Sequence, residues 1–407
     1  MSNPRVCFYF LLHQPMRLDN VSVFNLGLNS DYFNLQDKNN QNRQVFLKVA
    51  KKSYLPMLTL LLDLVKKHPH FCFSFSASGV FLEQAQLWQP KLITLLKKLL
   101  AHDQQVELVA ENYYHSLSFL YSTSQFQSQV REYLKLVWKL FKVRPKTFRN
   151  TELIYSNTIA AQVQKLGFDL TFAEGVDRYL QGRPKTQLFR ANIPDPQLYL
   201  LLKHAEFSDD IAFRFSNKGW GEHPLTADKY IAWLDQYSPQ DFINLFMDFE
   251  TFGEHQWADT GIFEFFADFV AKHKSFTTPT AAKKLALDGL VKMELSPDAL
   301  PVYDVPVPIS WADQERDLSA WLDNDLQKDA LQKLFVLEKK ILSTKDTHLI
   351  KDWQYLTTSD HFYYMCTKYF SDGDVHAYFN AYQSPLEAYR RFCIVLADLD
   401  GRLSSLS

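Results

Sequence analysis

Three carboxylates stand where apolar runs stop. The stretch FMDFETFGEH (246–255) sets Asp248 and Glu250 two positions apart at the end of a hydrophobic run, and FRNTELIY (148–155) presents Glu152 just as abruptly. Two acids at one site can divide the labour of acetal cleavage. One protonates a leaving oxygen while the other attacks or stabilises the electron-poor carbon. That division requires their pKa values to be pushed apart. The apolar INLFM before Asp248 favours its protonated form by desolvation. Arg149, three residues before Glu152, favours the ionised form of Glu152 if it reaches the site. Taken alone, Arg149 reads equally as a strand-end salt bridge, and any single acid reads first as a solvated loop residue. The set is what matters.

Acids on distant segments cooperate only if the fold gathers their ends. Seven β-rich runs alternate with stretches of helical period: VCFYFLL (6–12), FCFSFSA (71–77), VELVAE (106–111), TFRNTE (147–152), LTFAEG (170–175), IAFRFS (211–216) and INLFMDF (243–249). Leu55, Leu58, Leu61, Leu62 and Val65 show the intervening pattern, one face of a helix. Strand alternating with helix predicts an α/β fold with parallel strands, about seven of them, one short of the usual (β/α) barrel. In such a barrel the C-terminal strand ends form one mouth. His13 and Gln14, Glu111 and His115, Glu152, Glu174 and Asp177, and Asp248 and Glu250 all fall at those ends. Beyond about residue 280 the texture changes. SPDALPVYDVPVPIS (296–310) reads as a connector, and 313–345 and 355–395 are helical by period. The expected division is a barrel over 1–295 and a helical C-terminal domain over 296–407.

Composition excludes more than it identifies. The 407 residues are 46% hydrophobic and 22% charged, enough for a large core. A formal charge of -2 argues against a nucleic-acid partner, whose phosphates call for a basic face. No segment is long and apolar enough to span a bilayer, and the run before His13 is short for a signal peptide. The four cysteines lack CxxC spacing, which fits a cytoplasmic protein with free thiols. His13, His115, His255, His361 and His376 are among twelve histidines, and none makes HxxH or HExxH spacing, so neither a metal nor another cofactor is expected. Trp220, Trp257, Trp311 and Trp321 are candidate platforms for sugar rings. Trp257 and Trp321 stand out because both lie beside acids.

Two carboxylates without a nucleophilic Ser or Cys triad suggest glycoside hydrolysis. At this point the chain resembles glycoside hydrolase family fifty-seven, in its cytoplasmic α-amylase-like branch. HQP (13–15), VELVAENYYHSL (106–117), FRNTELIY (148–155) and MDFETFGEH (247–255) match its motifs in order, and FTTPTAA (276–282) matches a fifth more loosely. SWADQERDLSAWLDN (310–324) and TSDHFYYM (358–365) also look like this branch. The resemblance implies an incomplete seven-stranded (β/α) barrel and a retaining double displacement on α-1,4-glucans. Glu152 takes the nucleophile's place and Asp248 that of the general acid/base. Substrate contacts are implied for His13, Gln14, His115, Glu250 and Asp360. Arg149 stands where the family's third motif often has Trp, and His115 where other members often have Glu. A 4-α-glucanotransferase or branching enzyme would share every motif. A glucan-binding protein with a dead site is the alternative from another class, and the retention of both acids weighs against it.

Overall fold

The computed structural model describes residues 3–27, 31–35, 37–368 and 380–406. Among them are nine strands: β1 Arg5–Leu12, β2 Phe73–Ala77, β3 Val106–Leu108, β4 Thr147–Phe148, β5 Leu170–Glu174, β6 Phe189–Ala191, β7 Tyr199–Lys203, β8 Phe242–Asp248 and β9 Val302–Tyr303. They form two sheets, ordered β3-β2-β1-β8 and β4-β5-β7-β6-β9. Every pairing is parallel except β6 with β7. The sheets touch along two seams. At one, Ala110 N donates to Thr147 O (2.8 Å) and Arg149 N to Ala110 O (2.7 Å). At the other, His204 N donates to Asn244 O (2.9 Å) and Asn244 Nδ2 to Leu202 O (2.8 Å). The result is an α/β fold of barrel-like form with mixed sheets.

Period-two alternation explains how the strands are buried on both faces. On β1, Cys7, Tyr9 and Leu11 face an inner cluster with Phe172, Leu201 and Phe246, while Val6, Phe8, Phe10 and Leu12 pack outward under the helices. The inner layer is aromatic, with Phe172 and Phe246 rings 4.4 Å apart and Tyr9 5.6 Å from Phe246. Outside, the Leu58–Leu61–Leu62–Val65 stripe is buried on the helix Leu55–Lys67. Helix starts are set by side chains: Ser78 accepts from Phe81 N and Ser122 from Gln125 N.

The sequence expectation fails at 211–216. IAFRFS is helical, within turns spanning Ala205–Asp209 and Asp210–Arg214, and the strand between β5 and β8 is Tyr199–Lys203. Ile211 and Ala212 are buried while Phe213 is exposed, a helical rather than a two-residue rhythm. Arg214 Nε donates to Asp210 Oδ1 at 2.7 Å, an i,i+4 pair that only a helix brings together. The 296–310 connector also holds β9, which pairs with β6. Beyond it come helices Ser319–Leu322, Asp325–Val336, Glu338–Thr344, Thr347–Leu356, Ser359–Tyr363 and Pro385–Leu406. Part of the stretch 355–395, with His376, lies outside the described residues. No described helix is long and apolar enough to cross a membrane, and all four cysteines are free.

Candidate active site

β4 ends at Phe148, and the chain turns sharply just beyond it. Glu152 and Leu153 take successive left-handed conformations (φ 56° and 49°). Such angles cost a non-glycine residue roughly 1 kcal/mol or more each, so the surroundings must hold them. A remote segment does so. Tyr155 and Ile309 exchange backbone hydrogen bonds at 3.0 Å, and Trp311 N donates to Glu152 O at 3.3 Å. The Glu152 carboxylate then accepts three bonds: from Trp311 Nε1 (2.8 Å) on Oε2, and from His115 Nε2 (3.2 Å) and Ser359 Oγ (3.2 Å) on Oε1. Burial pushes its pKa up, but the bond and charge of His115 and the charge of Arg149 outweigh that, and the net shift is downward. Glu152 is held as an anion.

His115 is a rigid donor. Its backbone is also left-handed (φ 51°), its ring is wholly buried, and Nδ1 lies 3.1 Å from Glu111 Oε2. Burial alone would depress it, yet its bonds to Glu111 and Glu152 raise it to about 9, so it is a cation at neutral pH. The His13 ring stacks on it at 4.1 Å. His13 spans Ser78 Oγ (2.7 Å, Nδ1) and Asp360 Oδ2 (3.0 Å, Nε2). Burial and the charge of His115 push His13 down. Burial would raise Asp360, but His13 beside it holds its carboxyl at about 2. The arrangement we favour is a neutral His13 donating through Nε2 to an ionised Asp360, with the Ser78 hydroxyl donating to Nδ1. Backbone pairing between 115–117 and 357–359, including Ser359 N to His115 O (3.0 Å), carries Ser359 and Asp360 to this place.

Asp248 is the last residue of β8, paired in register with Leu11. Its carboxyl has no hydrogen-bond partner among the described residues. Burial first, and the charge of Glu152 second, push it up to about 6, with Arg149 opposing. Glu250 turns the other way. It accepts from Gln14 Nε2 (3.3 Å) and from the Tyr54 hydroxyl, and burial followed by the charge of Asp248 raises it to about 8. Gln14 is itself fixed by Arg17 Nη2 (3.1 Å). Gly253 (φ 104°) lets the following loop press its backbone against Lys52 O, where any Cβ would collide.

The two acids and five of the residues expected to contact substrate fall into one hydrogen-bonded and electrostatically linked cluster: Glu152 and Asp248 with His13, Gln14, His115, Glu250 and Asp360. Trp257 and Trp321, the two that stand beside acids in the sequence, do not join it. Trp257 is 59% exposed, with Lys52 Nζ 5.5 Å above its ring. Trp321 is 1% exposed and packs near Tyr363 (6.4 Å), so it offers no open face to a sugar; its neighbouring acids had suggested otherwise. The tryptophan at the site is Trp311, one of the four candidate platforms, and with it come Ser78, Ser359 and Tyr54, which were not singled out in the sequence. The segments SWADQERDLSAWLDN (310–324) and TSDHFYYM (358–365), which carry Trp311 and Ser359, gave the signal. Among the described residues no group of three or more His, Cys, Asp or Glu is arranged to hold a metal ion.

Comparison with known proteins bears on the chain as a whole. The model of "Glycosyl hydrolase family 57" matches residues 7–286. A protein of Methanocaldococcus jannaschii named "Putative alpha-amylase" is 37% identical over 416 residues, covering 98% of this chain and 85% of its own length. Among solved structures, a family 57 branching enzyme from Thermococcus kodakaraensis superposes with a TM-score of 0.67 at 13% identity, over 99% of this chain and 90% of that one. A 4-alpha-glucanotransferase from Thermococcus litoralis gives 0.58 at 15% identity, over 95% of this chain but only 55% of its own. The two structures speak to fold alone, whereas the family model and the archaeal relative settle descent: this chain belongs to glycosyl hydrolase family 57.

Proposed function

We propose that the chain is a retaining glycoside hydrolase acting on α-1,4-glucans such as maltodextrin, starch or glycogen. Glu152 attacks the anomeric carbon. The bond from that carbon to the leaving oxygen breaks, and Asp248 gives its proton to that oxygen. In the second step Asp248 takes a proton from water, the water oxygen bonds the anomeric carbon, and the Glu152 carboxylate leaves. One observation carries this reading: two linked carboxyls are held in opposite states. Glu152 is pinned as an anion by three donors, while Asp248, lacking any, is raised to about 6.

In this reading seven parallel strands, β1 to β5 with β7 and β8, make an incomplete (β/α) barrel over residues 1–295. Residues 296–407 form a helical domain that closes one side of the mouth. Trp311 and Ser359, which bond Glu152, and Asp360, which bonds His13, support that role, since all three come from beyond residue 296. His13, His115, Gln14 and Asp360 line the subsite for the sugar being cleaved. Glu250 orients its neighbours rather than doing chemistry.

The deciding experiment is incubation of the purified protein with maltoheptaose, with products resolved by length and by anomer. Shorter maltooligosaccharides released first as α-anomers are expected. Longer products would mean that a sugar hydroxyl replaces water, as in a glucanotransferase. No products would favour a glucan-binding protein, and β-anomers released first would end the retaining mechanism.

Chelation provides a second check. Both ring nitrogens of His13 and of His115 are already committed to protein partners, and two carboxyls suffice for the reaction. Dialysis against EDTA should leave turnover unchanged. Loss of activity restored by zinc would transfer the reaction to metal chemistry.

A further inference from the structure

Arg149 is a buried cation whose side chain has no hydrogen-bond partner among the described residues. It follows Phe148, which packs outward, so by alternation its side chain enters the barrel interior. It is 0% exposed, and Nε, Nη1 and Nη2 all lack acceptors. The guanidinium instead lies over the Trp311 ring, 4.7 Å from its centroid. The same indole donates to Glu152 Oε2 at 2.8 Å.

Charge matching shows what Arg149 balances. Facing this region are Tyr9 from β1, Glu111 and His115 from the loop after β3, Lys203 from β7, Asp248 from β8, and Glu152, Glu174, Asp209, Arg316 and Asp360. Glu111 shares the charge of His115 with Glu152, and Asp360 is held by the hydrogen bond from His13 and by the charges of His115 and Arg17. Glu174 and Asp209 pair with Lys203 (3.5 and 3.1 Å) and with Arg316 (3.8 and 3.5 Å). Lys203 also lies 6.0 Å from the Trp311 ring, but its charge is met by those acids. The carboxyls left to Arg149 are Glu152 and Asp248. An unpaired buried guanidinium is costly, and a π face recovers only part of that.

We infer that Arg149 is a positioning residue for the acid pair: stacked on Trp311, it sets the indole N–H on Glu152 and serves as the fixed cation for a negative charge that moves between Glu152 and Asp248. The inference rests on the roles of those acids proposed above. Before attack Glu152 carries the charge and Asp248 the proton. Once Glu152 is a neutral ester, Asp248 has given its proton to the leaving oxygen and carries the charge instead. Hydrolysis of the ester reverses both changes, so Arg149 faces one carboxylate charge throughout. Consistent with this, Arg149 is among the groups that pull both acids down.

The test is the pH profile of kcat/KM on maltoheptaose for Arg149→Met, Arg149→Lys and Trp311→Phe. Without the cation both acids hold protons longer. The acid limb of Arg149→Met should move up, and the basic limb should move up by roughly one pH unit, the low end of what a nearby opposite charge does to a carboxyl. Arg149→Lys should keep both limbs near wild type. Trp311→Phe retains a ring for the guanidinium but loses the N–H, so only its acid limb should rise. A folded Arg149→Met enzyme with a wild-type profile overturns the inference. Should that variant fail to fold, an unmoved acid limb in Trp311→Phe does the same. Substitutions at Glu152 and Asp248 separate the two levels. If those leave turnover intact the mechanism itself fails, and if they abolish it while the limbs stay fixed only the role of Arg149 fails.

Discussion

Glu152→Gln is expected to lower turnover on an α-glucan at least about 10³-fold, the scale seen when a covalent nucleophile is removed. That loss is about 4 kcal/mol of stabilisation made only in the transition state. The amide keeps the size of the side chain and one oxygen for His115 and Ser359, but its NH₂ cannot accept the Trp311 N–H. One strained hydrogen bond costs roughly 1–3 kcal/mol of stability. The variant should therefore still fold, as a cooperative thermal melt would show. To separate a nucleophile from a merely structural acid, Glu152→Gly can be assayed with added azide. Azide entering from the vacated side should restore cleavage and give a glycosyl azide whose anomeric configuration is opposite to that of the substrate. Near wild-type turnover by Glu152→Gln on natural glucan would remove Glu152 from the mechanism.

The acids were legible in the sequence because a barrel strand must be apolar until it reaches the mouth, so polarity marks its end. The same logic found His13, Gln14 and His115. It failed at 211–216, where β-branched and aromatic residues mimic a strand, because the i,i+4 pairing of Asp210 with Arg214 is a weaker signal than composition. The strand Tyr199–Lys203 was missed for the converse reason, since LYLLLK suits a helix equally well. That Trp311 and Ser359 meet Glu152 was hidden by distance along the chain. They lie 159 and 207 positions from Glu152 and arrive through backbone pairing that no local pattern encodes. The left-handed Glu152 is likewise invisible from residue type, as glutamate has no intrinsic preference for that conformation. Trp321 misled because adjacency to an acid in sequence says nothing about exposure.

Asp248→Asn should reduce turnover of natural glucan by roughly 10² to 10⁴-fold, the usual contribution of a positioned proton donor. A glucosyl fluoride, whose leaving group needs no proton, should still form the glycosyl ester rapidly. The ester should then accumulate, because the base for the second step is gone, and the trace should show a burst followed by slow release. The pH dependence follows from the two charge states. On the proposed mechanism, wild-type kcat/KM requires Glu152 ionised, which holds above its lowered pKa, and Asp248 protonated, which holds below about 6. Activity on natural glucan should thus fall as pH rises through about 6, and that limb should vanish for the fluoride with Asp248→Asn. Stability supplies an independent sign. A carboxyl whose folded pKa is raised destabilises the fold once it ionises: the cost appears as pH rises above its unfolded value and is complete above about 6. Asparagine is always neutral and escapes that cost. Asp248→Asn should accordingly melt no lower than wild type at pH 7, with the difference shrinking toward pH 4. If the variant melts well below wild type at neutral pH, Asp248 is an anion paired in the fold, and it cannot be the acid that protonates the leaving sugar.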